Sequence, residues 1–598
     1  MSHTPRWDLG SYFPTFDGPE YRAHLATLQA DLDRLNTLAE ALAPVSQGTL
    51  DAWVEFLLLD EAVLADYSHM ASYLGCLTAA DSLNEAYKQA QAGFARFGAA
   101  YKKVFAPVLD ALRTTPDDML QALIARPELD GAAHFIRQLK EEAGRTMAPE
   151  LERLAADLAV DGISAWGRLY NEVSGRLTFR MPGQDAPVPM AQKRSLLEDP
   201  DPQIRKQALE QSNQAWEEVA HVVAASLNAI AGTRLTLNRR RGIESIIDVA
   251  LFDAGMEQRD LDAMWQAVEE HLHLPWDWMR RKARCLGREQ LGFQDLLAPI
   301  PQAESRMYEW DDAVGTMLGA FDRGYPALAG FCRQMLAAQR VEAEKRPGKR
   351  PGAFCTTSLR SRESRVFMTF GGRHGDVQTL AHELGHAFHG HTLAQTRPLA
   401  SMYPMTLAET ASTFAERLLQ DAILADPAAP AGQKLGILAS RCDDAAIFLC
   451  DIRMRYLFEK AFYDERAAGE VPVSRLADLM LAAQNQAFAD TLAPAERDPL
   501  FWASKLHFYI TGVSFYNFPY TFGYLLSLIL CERGRAKGAA FYAEYEAFLR
   551  DTGSGKAAAV VRRTLGDDIG QPAFWAEAMT AIARDLEEMR RLLAAMEA

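Results

Sequence analysis

The sequence predicts a mainly α-helical protein built from more than one domain. Three observations lead there. Long stretches carry apolar residues at three- and four-residue spacing. Runs that read as strand are few and short. At 598 residues, the chain is too long for one compact core. An apolar fraction of 48% and a charged fraction of 24% are those of an ordinary folded chain.

In chain order, the helical runs are YRAHLATLQADLDRLNTLAEAL (21–42), EAYKQAQAGFARFGAAYKKVF (85–105) and LERLAADLAVDGISAWGRLYNEV (151–173), with FWAEAMTAIARDLEEMRRLLAAMEA (574–598) at the end. LLEDPDPQIRKQ (196–207) interrupts the pattern with two prolines and marks the expected division into domains 1–197 and 198–598. EKRPGKRPG (344–352) reads as a solvated, basic surface loop. The clearest strand is SRVFMTF (364–370), which ends at Gly371-Gly372. No internal repeat or low-complexity tract interrupts these elements.

The net charge of -16 argues against nucleic acid as a partner, since a polyanion would be repelled. Seven scattered cysteines, with no C-x-x-C pair, suggest neither a disulfide framework nor a cysteine zinc knuckle. The opening residues lack the charged-then-apolar order of a signal peptide. FGYLLSLILC is about half the length of a membrane span. A cytoplasmic location is the expectation, with no membrane association.

DVQTLAHELGHAFHGHTLA (376–394) holds four of the thirteen histidines. Asp376 is placed to cap a helix after FGGRHGD. Winding that helix at 100° per residue puts Val377, Leu380, Leu384, Ala387 and Phe388 on one apolar stripe. His382, His386 and His389 fall opposite, and His391 returns towards the stripe. His382 and His386 are one turn apart, roughly 6 Å, so both rings can bind one ion. His389 lies about 10 Å along the axis from His382, too far to share a tetrahedral centre. Glu383 completes H-E-x-x-H, and a carboxylate there can take a proton from a water activated by the ion.

A third ligand has to come from elsewhere. The pattern with a third histidine six residues on and an intervening glycine is not met, since those positions hold Thr392 and His389. The following helix, PMTLAETASTFAERLLQDAIL, carries Glu409, Ser412 and Glu416 on one face. Spacing alone leaves Glu409 open between metal ligand and surface acid.

LAHELGHAFH, then AETASTFAE, then KLHFYITGVSFYNFPYTFGYLLS resemble the oligoendopeptidase F and thimet oligopeptidase family of zinc peptidases. WDLGSYFPTFDGPEY, GKRPGAFCTTS and RVFMTF are similar to the oligoendopeptidase F branch, so the resemblance spans nearly the whole chain. It implies two helical halves around a deep substrate channel, with a small β-sheet beside the zinc-binding helix. It implies one Zn2+ held by His382, His386 and Glu409, with Glu383 as catalytic base and Glu416 orienting a ligand histidine. Val366, Phe367, Met368, Thr369 and Phe370 would form an edge strand that pairs with the substrate backbone. His507 and Tyr520, ahead of Tyr516, would donate hydrogen bonds to the oxyanion. Pro519 suits a first helical turn, so Tyr520 should head a helix and Tyr516 precede it. His374 departs from the expected loop; one reading is a cleft-facing side chain that tunes substrate or pH dependence, and the plainer one is a solvent-exposed side chain.

The implied activity is internal cleavage of short peptides, with no obligate protein partner. Two alternatives stand beside it. A metallo-carboxypeptidase would need a cation for the free terminus, such as Arg360, Arg362 or Arg365. A zinc-bearing but inactive peptide-binding protein would have been free to lose Glu383 or His507, and the chain has both.

Overall fold

The computed structural model describes residues 4–304 and 306–597. Helices dominate it, as expected. The first predicted run forms Pro19–Ala41 and the second Glu85–Arg113. The third is two helices, Pro149–Asp161 and Ile163–Arg176, broken at Gly162. The last forms Pro572–Glu597. Among the described residues, no helix is long and apolar enough to cross a membrane.

The chain folds into two compact units, each assembled from three segments. Unit 1 comprises Met1–Pro149, Arg306–Asp426 and Leu530–Asp567; unit 2 comprises Glu150–Ser305, Pro427–Ile529 and Asp568–Ala598. The interruption expected near residue 197 is present, because a short helix ends at Leu197 and the next starts at Pro202 behind the Asp201 cap. It lies within unit 2, so compactness divides the chain elsewhere than at 197/198.

Unit 1 holds a three-stranded sheet: β1 (Val341–Glu342), β2 (Phe354–Ser358) and β3 (Glu363–Phe367), in the order β1-β3-β2. Here the expectation of an edge strand at Val366–Phe370 is corrected. β3 lies in the middle, parallel to β1 through Val341↔Val366 and Glu342↔Phe367, and antiparallel to β2 from Phe354↔Phe367 to Ser358↔Glu363. Beyond β3, the Met368 and Phe370 N–H groups donate to the carbonyls of Glu342 and Ala343. Val366, Phe367, Met368 and Phe370 are buried, and Thr369 is half-buried. Val366 and Phe367 are paired on both sides and so cannot take up a substrate strand. The edge is β2.

The basic loop is also less solvated than expected. Lys349 turns inward, donating to the carbonyls of Glu344 and Met368 and lying 3.2 Å from the buried Glu342 carboxylate. Arg346 bonds the same carboxylate. One buried acid therefore draws two of the loop's cations inward.

Candidate metal centre

The helix that carries H-E-x-x-H, α1 (His374–Thr392), starts three residues earlier than the sequence suggests. Asp376 sits in its first turn rather than at the cap. Its carboxylate accepts the N–H groups of Gly371 and Arg373, both at 2.9 Å. The predicted stripe holds: Val377, Leu380, Leu384 and Ala387 are fully buried and Phe388 nearly so. α1 lies against β2 and β3 and against α2 (Thr410–Ala425).

Two glycines set those approaches. A Cβ on Gly385 would meet the Ala411 carbonyl oxygen at 2.6 Å, and one on Gly390 would meet Thr357 Oγ1 at 2.7 Å. Only glycine lets α1 come this close to α2 on one side and the sheet on the other. Glu409, directly before α2, is thereby brought to the histidines.

The result is a triangle of donor atoms. His382 Nε2 and His386 Nε2 are 3.1 Å apart, and each lies 3.4 Å from Glu409 Oε2. Tetrahedral bonds of about 2.0–2.1 Å would separate ligand atoms by about 3.3–3.4 Å, so the residues fit one zinc-sized cation. Glu416 Oε1 accepts from His382 Nδ1 at 2.5 Å, which turns the other ring nitrogen, Nε2, into the triangle. Ser412 Oγ donates to Glu409 Oε2 at 2.9 Å. Burial works against a charge on His382, but the Glu416 hydrogen bond and the surrounding carboxylates outweigh it and raise its pKa to about 9. For Glu409, burial is likewise outweighed, here by the histidines, and its pKa falls to about 2. Two imidazole nitrogens and a carboxylate converging this way are a donor set for a divalent cation.

Glu383 is 6% exposed, and its Oε2 has no hydrogen-bond partner. Burial pushes its pKa up, with His382 and His386 opposing. It lines a cavity of about 650 Å³ with His382, His386 and Glu409 and with β2 from Phe354 to Ser358. The signal for β2 in the sequence was only the short FCTTS run, which periodicity cannot separate from a loop.

Neither His389 nor His391 joins the triangle. His389 is fully buried, bonded through Nε2 to Thr552 Oγ1 at 2.8 Å and stacked on Tyr403 of the cavity wall. His391 is exposed beside Phe331. His374 corrects the solvent-exposed reading: both ring nitrogens are buried without partners, and burial lowers its pKa to about 4. Of the three arginines, Arg360 pairs with Asp66, and Arg365 is buried against Ser11 and Glu363. Arg362 alone lines the cavity.

In unit 2, His507, Tyr516 and Tyr520 form a cluster, with ring centroids 5.0 Å apart for His507 and Tyr516 and 5.7 Å for the two tyrosines. Tyr520 is the third residue of its helix, Phe518–Lys537, and Tyr516 precedes it, as Pro519 implied. Asn517 Oδ1 accepts from Arg455 Nη1 at 3.1 Å and lies 2.6 Å from His507 Nδ1. The Arg455 contact fixes that oxygen as acceptor, so His507 donates from Nδ1. Burial lowers the His507 pKa, and Lys505 and Arg455 add to this against the Asn517 bond. In the neutral ring, Nε2 is an acceptor. Donation to an oxyanion from Nε2 requires the cationic ring, a condition that the motif did not reveal.

Comparison with known proteins bears directly on this arrangement. Residues 329–580 match the profile described as peptidase family M3, and residues 112–179 match that of oligopeptidase F. The chain belongs to peptidase family M3. An oligoendopeptidase F homolog of Lactococcus lactis subsp. lactis is 22% identical over 90% of each chain. The group B oligopeptidase PepB of Streptococcus agalactiae is 22% identical over 88% of this chain and 87% of its own. Among solved structures, a chain from Chlamydophila abortus superposes with a TM-score of 0.83 at 19% identity, covering 98% of each chain. Oligoendopeptidase-F from Enterococcus faecium gives 0.68 at 18%, covering 96% of this chain and 99% of its own. These structures share the fold. As an M3 chain of the oligoendopeptidase F kind, this protein is a metallopeptidase.

Proposed function

We propose that this M3 peptidase is a zinc-dependent oligoendopeptidase that cuts internal bonds of short peptides. The observation that carries the reading is the triangle of His382, His386 and Glu409 in one cavity with the buried, unpartnered Glu383 carboxylate and the open edge of β2. Zinc, when bound, supplies a Lewis acid that brings the pKa of water towards about 7 and polarises a carbonyl. Glu416 fixes the His382 tautomer. Glu383 takes the proton of the attacking water and returns it to the departing nitrogen. β2 holds the substrate as an added strand, in place of the residues 366–370 first expected. Tyr516 and Tyr520 donate to the oxyanion, joined by His507 in its cationic form; these roles rest on the family resemblance.

Short peptides are the proposed partners, with no nucleic acid, membrane or obligate protein. The scattered cysteines suit a reducing compartment, and we propose a cytoplasmic location. Arg362 on the cavity wall keeps a carboxypeptidase as the second reading, since it could hold a free carboxylate. Mass spectrometry of peptides from about five to forty residues, with and without a chelator, separates the two. Internal cuts in short peptides, lost on chelation and restored by zinc, are expected. Stepwise trimming from the C-terminus would replace this reading with the second.

A further inference from the structure

Unit 2 contains a second cavity, of about 320 Å³, that the proposed chemistry does not use. Its walls are mostly apolar, with Leu197, Phe293, Leu296, Ile447, Phe488 and Phe501 among them, and the exposed Ala191 and Arg194 stand at its mouth. Its acids are all engaged. Asp443 accepts from Lys282 and Trp278, Asp451 pairs with Arg455, and Asp498 faces Lys193 at 3.8 Å. Of its four cations, Lys193, Arg194 and Arg455 are also engaged, Arg455 with Asp451. Lys505, by contrast, makes no ion pair among the described residues, and its ammonium lies 5.9 Å from the centre of the Phe501 ring. Burial, with Arg455 adding repulsion and Asp451 opposing only in part, lowers the Lys505 pKa to about 8. Arg455, 9% exposed, also leaves its Nε–H unpartnered.

The backbone at this wall is irregular as well. Ile447–Asp451 is a π-helical turn, and Thr521 Oγ1 takes up the Phe448 carbonyl at 2.6 Å. Such turns cost regular hydrogen bonding and cluster at functional sites. Here the turn sets Ile447 and Asp451 on the cavity wall, with Arg455 one helical turn beyond.

We propose that this cavity is a binding site for a small apolar carboxylate, held by Lys505 and the Arg455 Nε–H with its hydrocarbon part against the apolar wall. An apolar pocket with a few convergent polar groups suits such a ligand. An anion here would pair the Lys505 ammonium, which has no ion pair among the described residues, and accept the Arg455 Nε–H that Asp451 leaves unused. N-acylated amino acids and short fatty acids carry the same chemistry. Arg455 also bonds Asn517, which holds His507 Nδ1, so occupancy reaches His507 through one shared guanidinium. This coupling rests on the role given to His507 above; the binding site does not.

The test is calorimetric titration of the zinc-loaded protein with N-acetyl-leucine, octanoate, and N-acetyl-leucinamide as the uncharged control. One equivalent of a carboxylate should bind, the amide should bind at least tenfold more weakly, and Lys505→Gln should weaken the carboxylate at least tenfold. Preference between N-acetyl-leucine and octanoate identifies the source. Ser504→Trp, which fills the cavity, should abolish binding while circular dichroism reports an unchanged fold. Binding unaffected by both variants would place the carboxylate elsewhere, at the metal included, and overturn the proposal, as would no binding at millimolar concentration. For the coupling, saturating ligand should change kcat on a quenched short peptide by at least twofold in the native protein and not in Lys505→Gln. Unchanged kcat with intact binding would overturn the link to His507.

Discussion

Gly385 faces the backbone of Ala411 and Ser412 so closely that a Cβ would lie 2.6 Å from the Ala411 carbonyl oxygen and 2.7 Å from Ser412 Cα. Both neighbours are main chain and cannot swing aside. Gly385→Ala should therefore force α2 away from α1 and carry Glu409 out of the triangle. Overpacking of this kind costs about 1–3 kcal/mol. A lower melting temperature together with at least tenfold weaker zinc binding is expected. Native zinc affinity in a stable variant would mean that the metal site does not depend on this approach.

Glu383→Gln keeps the shape of the buried side chain and removes its basicity. Zinc content, read by mass spectrometry of the native protein, should stay at one per chain. Turnover should fall by about 10²–10⁴-fold. Retained turnover would take the role of base away from Glu383.

The metal helix was legible because its information is local. One turn separates His382 from His386, and the stripe from Val377 to Phe388 needs only a helical period to be seen. Glu409 was half legible, since its residue type and face were visible but the close approach permitted by Gly385 was not. The sheet was misread for a different reason. SRVFMTF identifies a strand, but whether it is an edge depends on Val341–Glu342 and Phe354–Ser358, and on which side each one pairs. No periodicity within the strand encodes that. The units were equally hidden, because each joins segments that are far apart in the chain. The His507 tautomer turned on Asn517 and Arg455, the latter 52 residues earlier in sequence than His507.

Glu409 and Glu416 should differ in kind. Glu409→Ala removes a donor atom of the triangle, whereas Glu416→Ala removes only the group that holds His382 Nδ1. Loss of such an outer partner typically costs about 10–100-fold in metal affinity. Competition with a zinc chelator should rank native, Glu416→Ala and Glu409→Ala in falling order. Equal affinities for native and Glu409→Ala would remove Glu409 as a ligand.

Glu459 offers a pH test independent of the metal. Burial raises its carboxyl to about 7, against the Phe515 N–H that it accepts and the Arg234 charge. In the unfolded chain a glutamate titrates near about 4.3. The raised folded value means that its contribution is fully present below about pH 4 and is lost as pH rises through about 7. Glu459→Gln keeps a carbonyl for Phe515 and avoids that loss. Urea unfolding should show the two proteins alike near pH 4, and the variant more stable by about 3 kcal/mol above pH 7. A difference that does not change with pH would show that Glu459 does not titrate in this way.

Pairing of substrate with β2 predicts a pattern in the substrate itself. Along a strand, successive N–H groups point to opposite edges, so only every second residue of an added peptide bonds the strand beside it. Methylating those backbone nitrogens one at a time removes single ladder bonds without altering side chains. A scan across a good substrate should lower kcat/KM by about tenfold at alternate positions and leave the intervening ones little changed, each lost bond costing about 0.5–1.5 kcal/mol plus the clash of the methyl group. Positions next to the scissile bond are left out, since methylation there alters the reacting amide. Uniform losses, or none, would mean that the open edge from Phe354 to Ser358 does not hold the substrate, and side-chain pockets of the same cavity would have to align it.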